Sequence, residues 1–125
     1  MEYDLSSIIL FYLPTATDFA VYGNTDIVWN DKNIPQPTNQ QIEAWKISYP
    51  HDLALLNCKN QAKILIANSD WSVLPDVKIS NKSDFENYRS QLRNYILNPV
   101  ENPVFQEEPK PIWIVSQSTI GENNG

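Results

Sequence analysis

Apolar residues recur at helical spacing in the middle of the chain, and polar residues occupy the faces between them. Residues 52–68 contain one such stripe, which follows the order i, i+3, i+7, i+10, i+11 and consists of Leu55, Cys58, Ala62, Leu65 and Ile66. A single apolar stripe predicts an amphipathic helix that buries one side. We expect this helix to end near Asn68.

A second amphipathic helix is predicted between Ser83 and Pro99. Ser83 stands at an N-cap position, and Glu86 follows three residues later, so the pair has capping-box spacing. The apolar stripe of this helix consists of Phe85, Tyr88, Leu92, Tyr95 and Ile96. Pro99 should end the helix because proline lacks the backbone donor that the next turn needs.

A shorter helix should precede these two. Pro35-Gln36-Pro37 interrupts the pattern before it, and Thr38 with Gln41 has capping-box spacing. Its apolar face consists of Ile42, Trp45 and Tyr49. Pro50 should end this helix or bend it into the next one.

The first 34 residues have a β-like pattern. Ile8 to Leu13 is a run of β-branched and aromatic residues that stops at Pro14, which predicts a strand. Residues 18–22 and 25–30 flank Gly23-Asn24, a pair suited to a tight hairpin turn.

These patterns predict an α+β fold, with a small N-terminal β-hairpin or sheet, two to three helices and an extended, proline-rich C-terminal arm. The expected units are 1–34, 35–98 and 99–125. Within the arm, Ile112 to Val115 should add a short strand or dock on the core, and Glu122 to Gly125 should form a frayed tail.

Composition and charge exclude several classes of function. The chain has 125 residues, 42% of them hydrophobic, and a formal net charge of −6. An acidic chain gains little from DNA, RNA or anionic membranes, so we expect no nucleic-acid or membrane partner. The apolar run from Ile8 to Leu13 is far shorter than the ~20 residues that span a bilayer. Because no basic segment precedes an apolar one, we expect no signal peptide, and a protein that stays in the cytoplasm or is packed into a particle assembled there.

Groups suited to catalysis are sparse. His51 is the only histidine and Cys58 the only cysteine, so the sequence offers no zinc site and no cysteine–histidine pair. Cys58 lies on an apolar stripe, as an inert buried thiol would. The carboxylates of Glu107-Glu108 and of Asp70 with Asp76 are candidates for acid–base or cation chemistry, but without companion ligands. We expect no enzyme activity, no cofactor and no metal.

One extended pattern is more specific. Residues 64–76 place Asp70-Trp71 two residues before Leu74-Pro75-Asp76, and Phe85, Tyr88-Arg89 and Leu92-Arg93 follow at fixed spacing. This pattern resembles the central signature of the phage tail assembly chaperone family, which often closes with a tryptophan near a proline, as in Pro109-Lys110-Pro111-Ile112-Trp113. Residues 28–38 are similar, more loosely, to phage tail-fibre and fibre-assembly sequences.

The resemblance implies a bacteriophage protein that acts by binding tail, baseplate or fibre proteins. It is compatible with a chaperone that works in the host cytoplasm and with a component of the virion tail, and it leaves open whether the chain forms an oligomer. The acidic charge favours the chaperone. The aromatic content and the proline-rich arm favour the virion component.

The signature also has a structural interpretation. Trp71, with Leu74 beside it, should close the open end of a two-helix unit, since a buried aromatic side chain covers about 150–250 Å². Pro75 should stiffen the loop, and Asp70 should turn the chain. We expect Arg89 or Arg93 to reach back to Asp70 or Asp76 and fix the loop to the helix, because arginine pairs well with carboxylates.

Candidate interface residues lie at both ends of the chain. If Ile8 to Leu13 is an exposed sheet edge, Ile8, Leu10 and Tyr12 become candidates for strand addition by a partner. Trp29, Trp45 and Trp113 are more typical of a core. If one of them is exposed, we expect it to be Trp113, because no helical or strand periodicity precedes it.

Overall fold

A computed structural model describes residues 3–115. In chain order it contains helix α1 (Leu5–Tyr12), strands β1 (Phe19–Tyr22) and β2 (Asp26–Trp29), helix α2 (Asn39–Asn68), a 3₁₀ turn (Asp70–Val73) and helix α3 (Lys82–Leu97). The expected α+β class is confirmed. The predicted tail, Glu122 to Gly125, lies outside the described residues.

The strand predicted at Ile8 to Leu13 is wrong, because Ile8 to Tyr12 belong to α1 and Leu13 is its C-cap residue. The Asp4 carboxylate accepts a hydrogen bond from the Ser7 N–H at 3.2 Å and so caps the helix. Leu5, Ile8 and Ile9 are buried, and their spacing of i, i+3 and i+4 gives the helix one apolar face. The β-branched composition therefore misled the sequence-based prediction, and packing of this face decided the structure.

The candidate interface at Ile8, Leu10 and Tyr12 is also wrong as a sheet edge. The backbone of a helix has no row of extended donors and acceptors, so α1 offers no edge for strand addition. Ile8 is buried, Leu10 is exposed, and the Tyr12 hydroxyl contacts Ser48 and Asp52 of α2.

The hairpin predicted around Gly23-Asn24 is confirmed. Strands β1 and β2 pair in antiparallel fashion, with Phe19 opposite Trp29. Gly23 and Asn24 both have positive φ, at 61° and 58°, which matches the mirror-image turns that suit the twist of hairpins. The Asn24 Oδ1 atom accepts a hydrogen bond from the Leu5 N–H at 2.6 Å, which joins the turn to the start of α1.

The segment after β2 is organised by one carboxylate. Asp31 accepts hydrogen bonds from the backbone N–H groups of Thr17, Asn33 and Ile34 at 2.9–3.0 Å. These bonds, led by the one from Thr17, hold the pKa of Asp31 below its ordinary value. The hairpin is thereby connected to the proline segment that leads into α2.

Helix α2 begins where the sequence predicts and ends at Asn68, the end predicted for the helix over residues 52–68, so two predicted helices form one. The Thr38 N–H donates to Gln41 at 2.9 Å and the Gln41 N–H donates to Thr38 at 3.1 Å, so the capping box is confirmed. Pro50 was expected to end or bend the helix. The helix does not end there: it runs on to Asn68 with Pro50 in its interior, although a proline removes one intrahelical hydrogen bond.

Contacts on both sides of Pro50 account for the continuing helix. The Tyr12 hydroxyl lies 2.7 Å from Ser48 Oγ and donates to Asp52 Oδ2 at 2.6 Å, and these two residues flank the proline. Tyr49 is buried, with edge-to-face ring contacts to Tyr3 and Phe11. Tertiary contacts therefore stabilise α2 in the turn where Pro50 removes an intrahelical hydrogen bond.

The chain divides into two compact units, and Leu53 and Ala54 of α2 are the residues on either side of the boundary. The core of the first unit is formed by Leu5, Ile9 and Ile42, with the hairpin residues and Trp45 packed against them. The core of the second unit is formed by Ala62, Tyr88 and Leu92, with half-buried neighbours at Leu65, Ile66, Tyr95, Ile96 and Phe105. The expected stripes of α2 and α3 supply both sides of this second core, and Trp29 and Trp45 belong to the first.

The predicted N-cap residue of α3, Ser83, is wrong, because the helix begins earlier in the chain. The helix begins at Lys82 with Asn81 as its N-cap residue, so Ser83 lies inside it. The Asn81 side chain donates to the Lys110 carbonyl at 2.9 Å and accepts from the Ile112 N–H at 2.9 Å. Asn81 thus holds a distant segment, which no local capping rule could reveal. The end of α3 at Leu97, two residues before Pro99, agrees with the prediction.

Replacing Tyr12 with phenylalanine should lower the free energy of unfolding of the first unit by about 1–2 kcal/mol, since Ser48 and Asp52 lose a hydrogen-bond partner. Burial, followed by the hydrogen bond to Asp52, raises the pKa of Tyr12 above its ordinary value of 10.0. The associated stability is therefore present below pH 10 and is lost as the pH rises through the folded-state pKa.

Chemical denaturation of the native chain and the Tyr12→Phe variant between neutral pH and pH ~11 measures both effects. The difference in stability between the two proteins should become smaller toward the alkaline end. An unchanged difference across this range would contradict the assigned role of the Tyr12 hydroxyl.

Candidate functional site

The end of α2 is fixed to α3 by one arginine. Arg89 Nη1 lies 2.8 Å from the Ile66 carbonyl oxygen, 2.8 Å from Ser69 Oγ and 2.9 Å from Asp70 Oδ1. We call this set of contacts the brace. The Arg89 side chain is only 12% exposed, whereas that of Asp70 is 64% exposed. The carbonyl and hydroxyl contacts therefore form its sheltered part, and the ion pair faces water.

Two buried serines complete the hydrogen bonding around the brace. Ser69 Oγ donates to the Ile66 carbonyl at 2.9 Å, and Ser72 Oγ donates to the Ser69 carbonyl at 2.7 Å. Both serines are essentially inaccessible to solvent. Since their polar atoms are paired, they stabilise the chain reversal after α2 and are not poised as nucleophiles.

The expected arginine–carboxylate pair is present, and it joins Arg89 to Asp70. Arg93 and Asp76 are exposed and do not take part in the brace. The physical reason is the helical spacing: Arg89 follows the buried Tyr88 and faces the end of α2, and Arg93 lies one turn further along α3.

Trp71 joins the 3₁₀ turn to two other segments. Its ring makes an edge-to-face contact with the buried Phe85 at a centroid distance of 5.2 Å and stacks on Trp113 at 5.9 Å. The expectation that Leu74 is buried beside it is wrong, because Leu74 is 49% exposed and Pro75 is exposed as well. The aromatic partners Phe85 and Trp113 take the place beside Trp71 that was assigned to Leu74.

Tyr88 and Leu92, the remaining signature residues, lie in the core of the second unit and are buried. Burial raises the pKa of the Tyr88 hydroxyl above its ordinary value, and the charge of Glu108 adds to this effect. The structure therefore brings together Asp70, Trp71, Arg89, Tyr88 and Leu92 around one helix junction. It leaves Leu74, Pro75, Asp76 and Arg93 at the surface.

Residues 110–115, here called the C-terminal segment, lie against residues 78–81. The Ser80 N–H donates to the Ile112 carbonyl at 2.8 Å, and the Ile114 N–H donates to the Lys78 carbonyl at 3.0 Å. These bonds form an antiparallel bridge between Ile79 and Trp113. The prediction that this part of the chain adds a short strand or docks on the core is confirmed.

The C-terminal segment carries an exposed apolar surface. Trp113 is 58% exposed, so it is not a core residue, and it is the tryptophan that we named as the candidate if one were exposed. Val73 and Leu74, which follow Trp71 in the chain, are also about half exposed. We call the set of Val73, Leu74, Ile112, Trp113, Ile114 and Val115 the apolar strip. Sequence reasoning identified Trp113 but missed the isoleucines beside it, although their β-branched run was visible.

The reactive side chains are dispersed. His51 is exposed on α2, and Cys58 is buried with a free thiol. Across residues 3–115, no three or more histidine, cysteine, aspartate or glutamate side chains cluster in a way that could hold a metal ion. No helix in that part of the chain combines the length and apolar character needed to cross a bilayer.

A shallow cavity of about 390 Å³ lies between α3 and the proline-rich arm. Neutral amides and hydroxyls line it, and it is bounded by Tyr95, whose hydroxyl bonds to the backbone of Val104. This hydrogen bonding attaches the arm to α3.

Comparisons with family models, with curated proteins and with solved structures gave no match to this chain.

Proposed function

We propose that the chain acts by binding another protein, as a bacteriophage tail or tail-fibre assembly chaperone in the host cytoplasm. The observation that supports this role most directly is the apolar strip, whose six side chains are between 49% and 76% exposed. Large exposed apolar side chains that are concentrated in two short segments are typical of protein-binding sites. The resemblance to tail assembly chaperones supplies the proposed class of partner.

The brace supports the same proposal because it makes the strip rigid. Trp71 stacks on Trp113 of the strip and also contacts the buried Phe85, so the strip rests on the core of the second unit. Arg89 fixes the 3₁₀ turn that carries Trp71 and Val73. A surface that is ordered before binding loses less conformational entropy when a partner arrives.

A second candidate function is a structural component of the mature tail. The arm from Pro99 to Pro109 favours it, because this segment has no helix or strand and Val104 is 78% exposed. Extended arms of this kind can lie along neighbouring subunits in an assembly. Under this alternative the same apolar strip serves a permanent contact with a baseplate, tube or fibre protein.

The test is co-expression of the chain with the tail and fibre proteins encoded by the same genome, followed by affinity purification. The double variant Ile112→Ser/Ile114→Ser should recover about tenfold less partner, because two apolar contacts are lost. The matched control is Ile47→Ser, since Ile47 is 82% exposed on α2 and lies outside the strip.

Equal recovery with both variants would contradict binding through the strip, and recovery of no tail protein by the native chain would overturn the proposed function. Mass spectrometry of purified particles then separates the two candidates. Absence of the chain from particles supports the chaperone. Presence at the copy number of a tail protein supports the structural component.

A further inference from the structure

We infer that the outer edge of the C-terminal segment binds an extended, apolar strand of the partner by β-strand addition. The inference rests on the proposed protein-binding role and specifies its geometry. It does not depend on the partner being a tail protein. Three observations carry it: the direction of the backbone groups, the exposure of both faces of the segment, and the charge of the chain.

The backbone N–H and carbonyl groups of even- and odd-numbered residues in the segment point to opposite edges. Those that contact residues 78–81 belong to even-numbered positions: the Lys110 carbonyl, the Ile112 N–H and carbonyl, and the Ile114 N–H. The Ile79–Trp113 pair is flanked by these bonds and exchanges none itself. In antiparallel pairing this arrangement turns the N–H and carbonyl of Trp113 toward the opposite edge.

The same alternation extends to Val115, whose N–H should share the outer edge with Trp113. Between residues 3 and 115 no protein group bonds to the backbone of either residue. Pro111, the third odd-numbered position, has no N–H, so its carbonyl is its only hydrogen-bonding group at this edge. The outer edge thus presents a short row of donors and acceptors that match a partner strand.

Both faces of the segment are apolar. Trp113 lies on the face that stacks on Trp71, and Ile112 and Ile114 project to the other face because side chains alternate along a strand. Ile112 and Ile114 are 58% and 56% exposed. A strand that is apolar on both faces is typical of a sheet interior, so the matching strand should carry apolar side chains at successive positions.

The occupant is more consistent with a different protein than with a second copy of this chain. Each copy has a formal charge of −6, so two copies repel each other. Self-pairing about Trp113 would also set Pro111 opposite Val115 and leave one donor missing from each such pair. The segment alone is far smaller than the roughly 20–30 residues per side of a stable interface. An apolar strand within a larger partner can be accompanied by contacts from the rest of that protein.

The experiment uses the full chain and a synthetic peptide with a central Ile-Val-Thr-Val-Ile sequence and lysines at both ends. Its control has the same sequence and charge but carries N-methyl groups on two consecutive central residues, which removes one donor from each edge. We expect the first peptide to slow hydrogen exchange at the amides of Trp113 and Val115. The N-methylated peptide should bind about tenfold more weakly.

The variant Val115→Pro removes an outer donor without touching the bonds to Lys78 and Ser80, and it should weaken peptide binding by about tenfold. Val115→Ala keeps the donor and should weaken binding by no more than about threefold. Unchanged binding by Val115→Pro or by the N-methylated peptide would overturn the inference. The inference would also be overturned if ultracentrifugation showed a dimer of the native chain that is absent for Val115→Pro. The outer edge would then bind a second copy of this chain.

The outcomes for the edge and for the proposed function can be separated. If a tail protein copurifies but the peptide does not slow hydrogen exchange at Trp113 and Val115, the proposed function is supported and strand addition at the outer edge is contradicted. If the peptide slows exchange at these amides but no tail protein copurifies, strand addition at the outer edge is supported and the proposed function is contradicted.

Discussion

Replacing Phe85 with alanine should lower the free energy of unfolding of the second unit by about 3–5 kcal/mol, the largest loss we expect from a single substitution. Phe85 is only 1% exposed and its ring meets the edge of Trp71 at 5.2 Å. The alanine variant loses this burial and leaves a cavity under the 3₁₀ turn. Trp71 and the Trp113 ring stacked on it would lose their support.

Hydrogen exchange of the α3 amides measures this effect in the second unit alone, which matters because two units need not unfold together. Leu97→Ala is the matched control, because Leu97 belongs to the same helix but is 78% exposed. It should change stability by less than about 0.5 kcal/mol. Similar losses for both variants would show that Phe85 does not support the junction.

Replacing Arg89 with alanine should have the second-largest effect, a loss of about 2–3 kcal/mol. The Ile66 carbonyl and the buried Ser69 hydroxyl would each lose a charged donor at 2.8 Å. Arg93→Ala is the control, because Arg93 is exposed on the same helix and lies outside the brace. A loss for Arg89→Ala no greater than that for Arg93→Ala would reject the structural role of the brace.

The ion pair should contribute little to that loss. Asp70 is 64% exposed, and exposed pairs are typically worth about 0–1 kcal/mol because water screens them. Asp70→Asn should therefore cost about 1 kcal/mol or less. A double-mutant cycle should give measurable coupling between Asp70 and Arg89 and coupling below ~0.3 kcal/mol between Asp70 and Arg93. Strong coupling to Arg93 would contradict the observed pairing.

Local sequence was sufficient wherever a short-range pattern agreed with the packing. Thr38 and Gln41 form the capping box that their spacing predicts. Gly23-Asn24 forms the hairpin turn because these residues adopt positive φ readily. The apolar stripe of α3 could be predicted because Phe85, Tyr88 and Leu92 recur at helical spacing, and all three are buried.

Local sequence failed wherever distant contacts competed with propensity. Ile8 to Leu13 has strand-like composition, yet Asp4 and the buried face of α1 make it helical. Pro50 would end an isolated helix, yet Tyr12 bonds to residues on both sides of it. Ser83 has better local capping spacing than Asn81, but the Asn81 side chain is engaged by Lys110 and Ile112. The contacts that decided the last two cases join residues 29 to 40 positions apart in sequence.

The sequence by itself determined the fold class, the hairpin and the apolar stripes of α2 and α3, because these depend on periodicity and on residues a few positions apart. It also indicated an arginine–carboxylate pair. Only the tertiary structure decided which arginine forms the brace, that Leu74 is exposed, that Ile8 to Tyr12 are helical, and that Trp113 pairs with Ile79. These features depend on which segments meet in space, and side-chain spacing along one segment does not specify them.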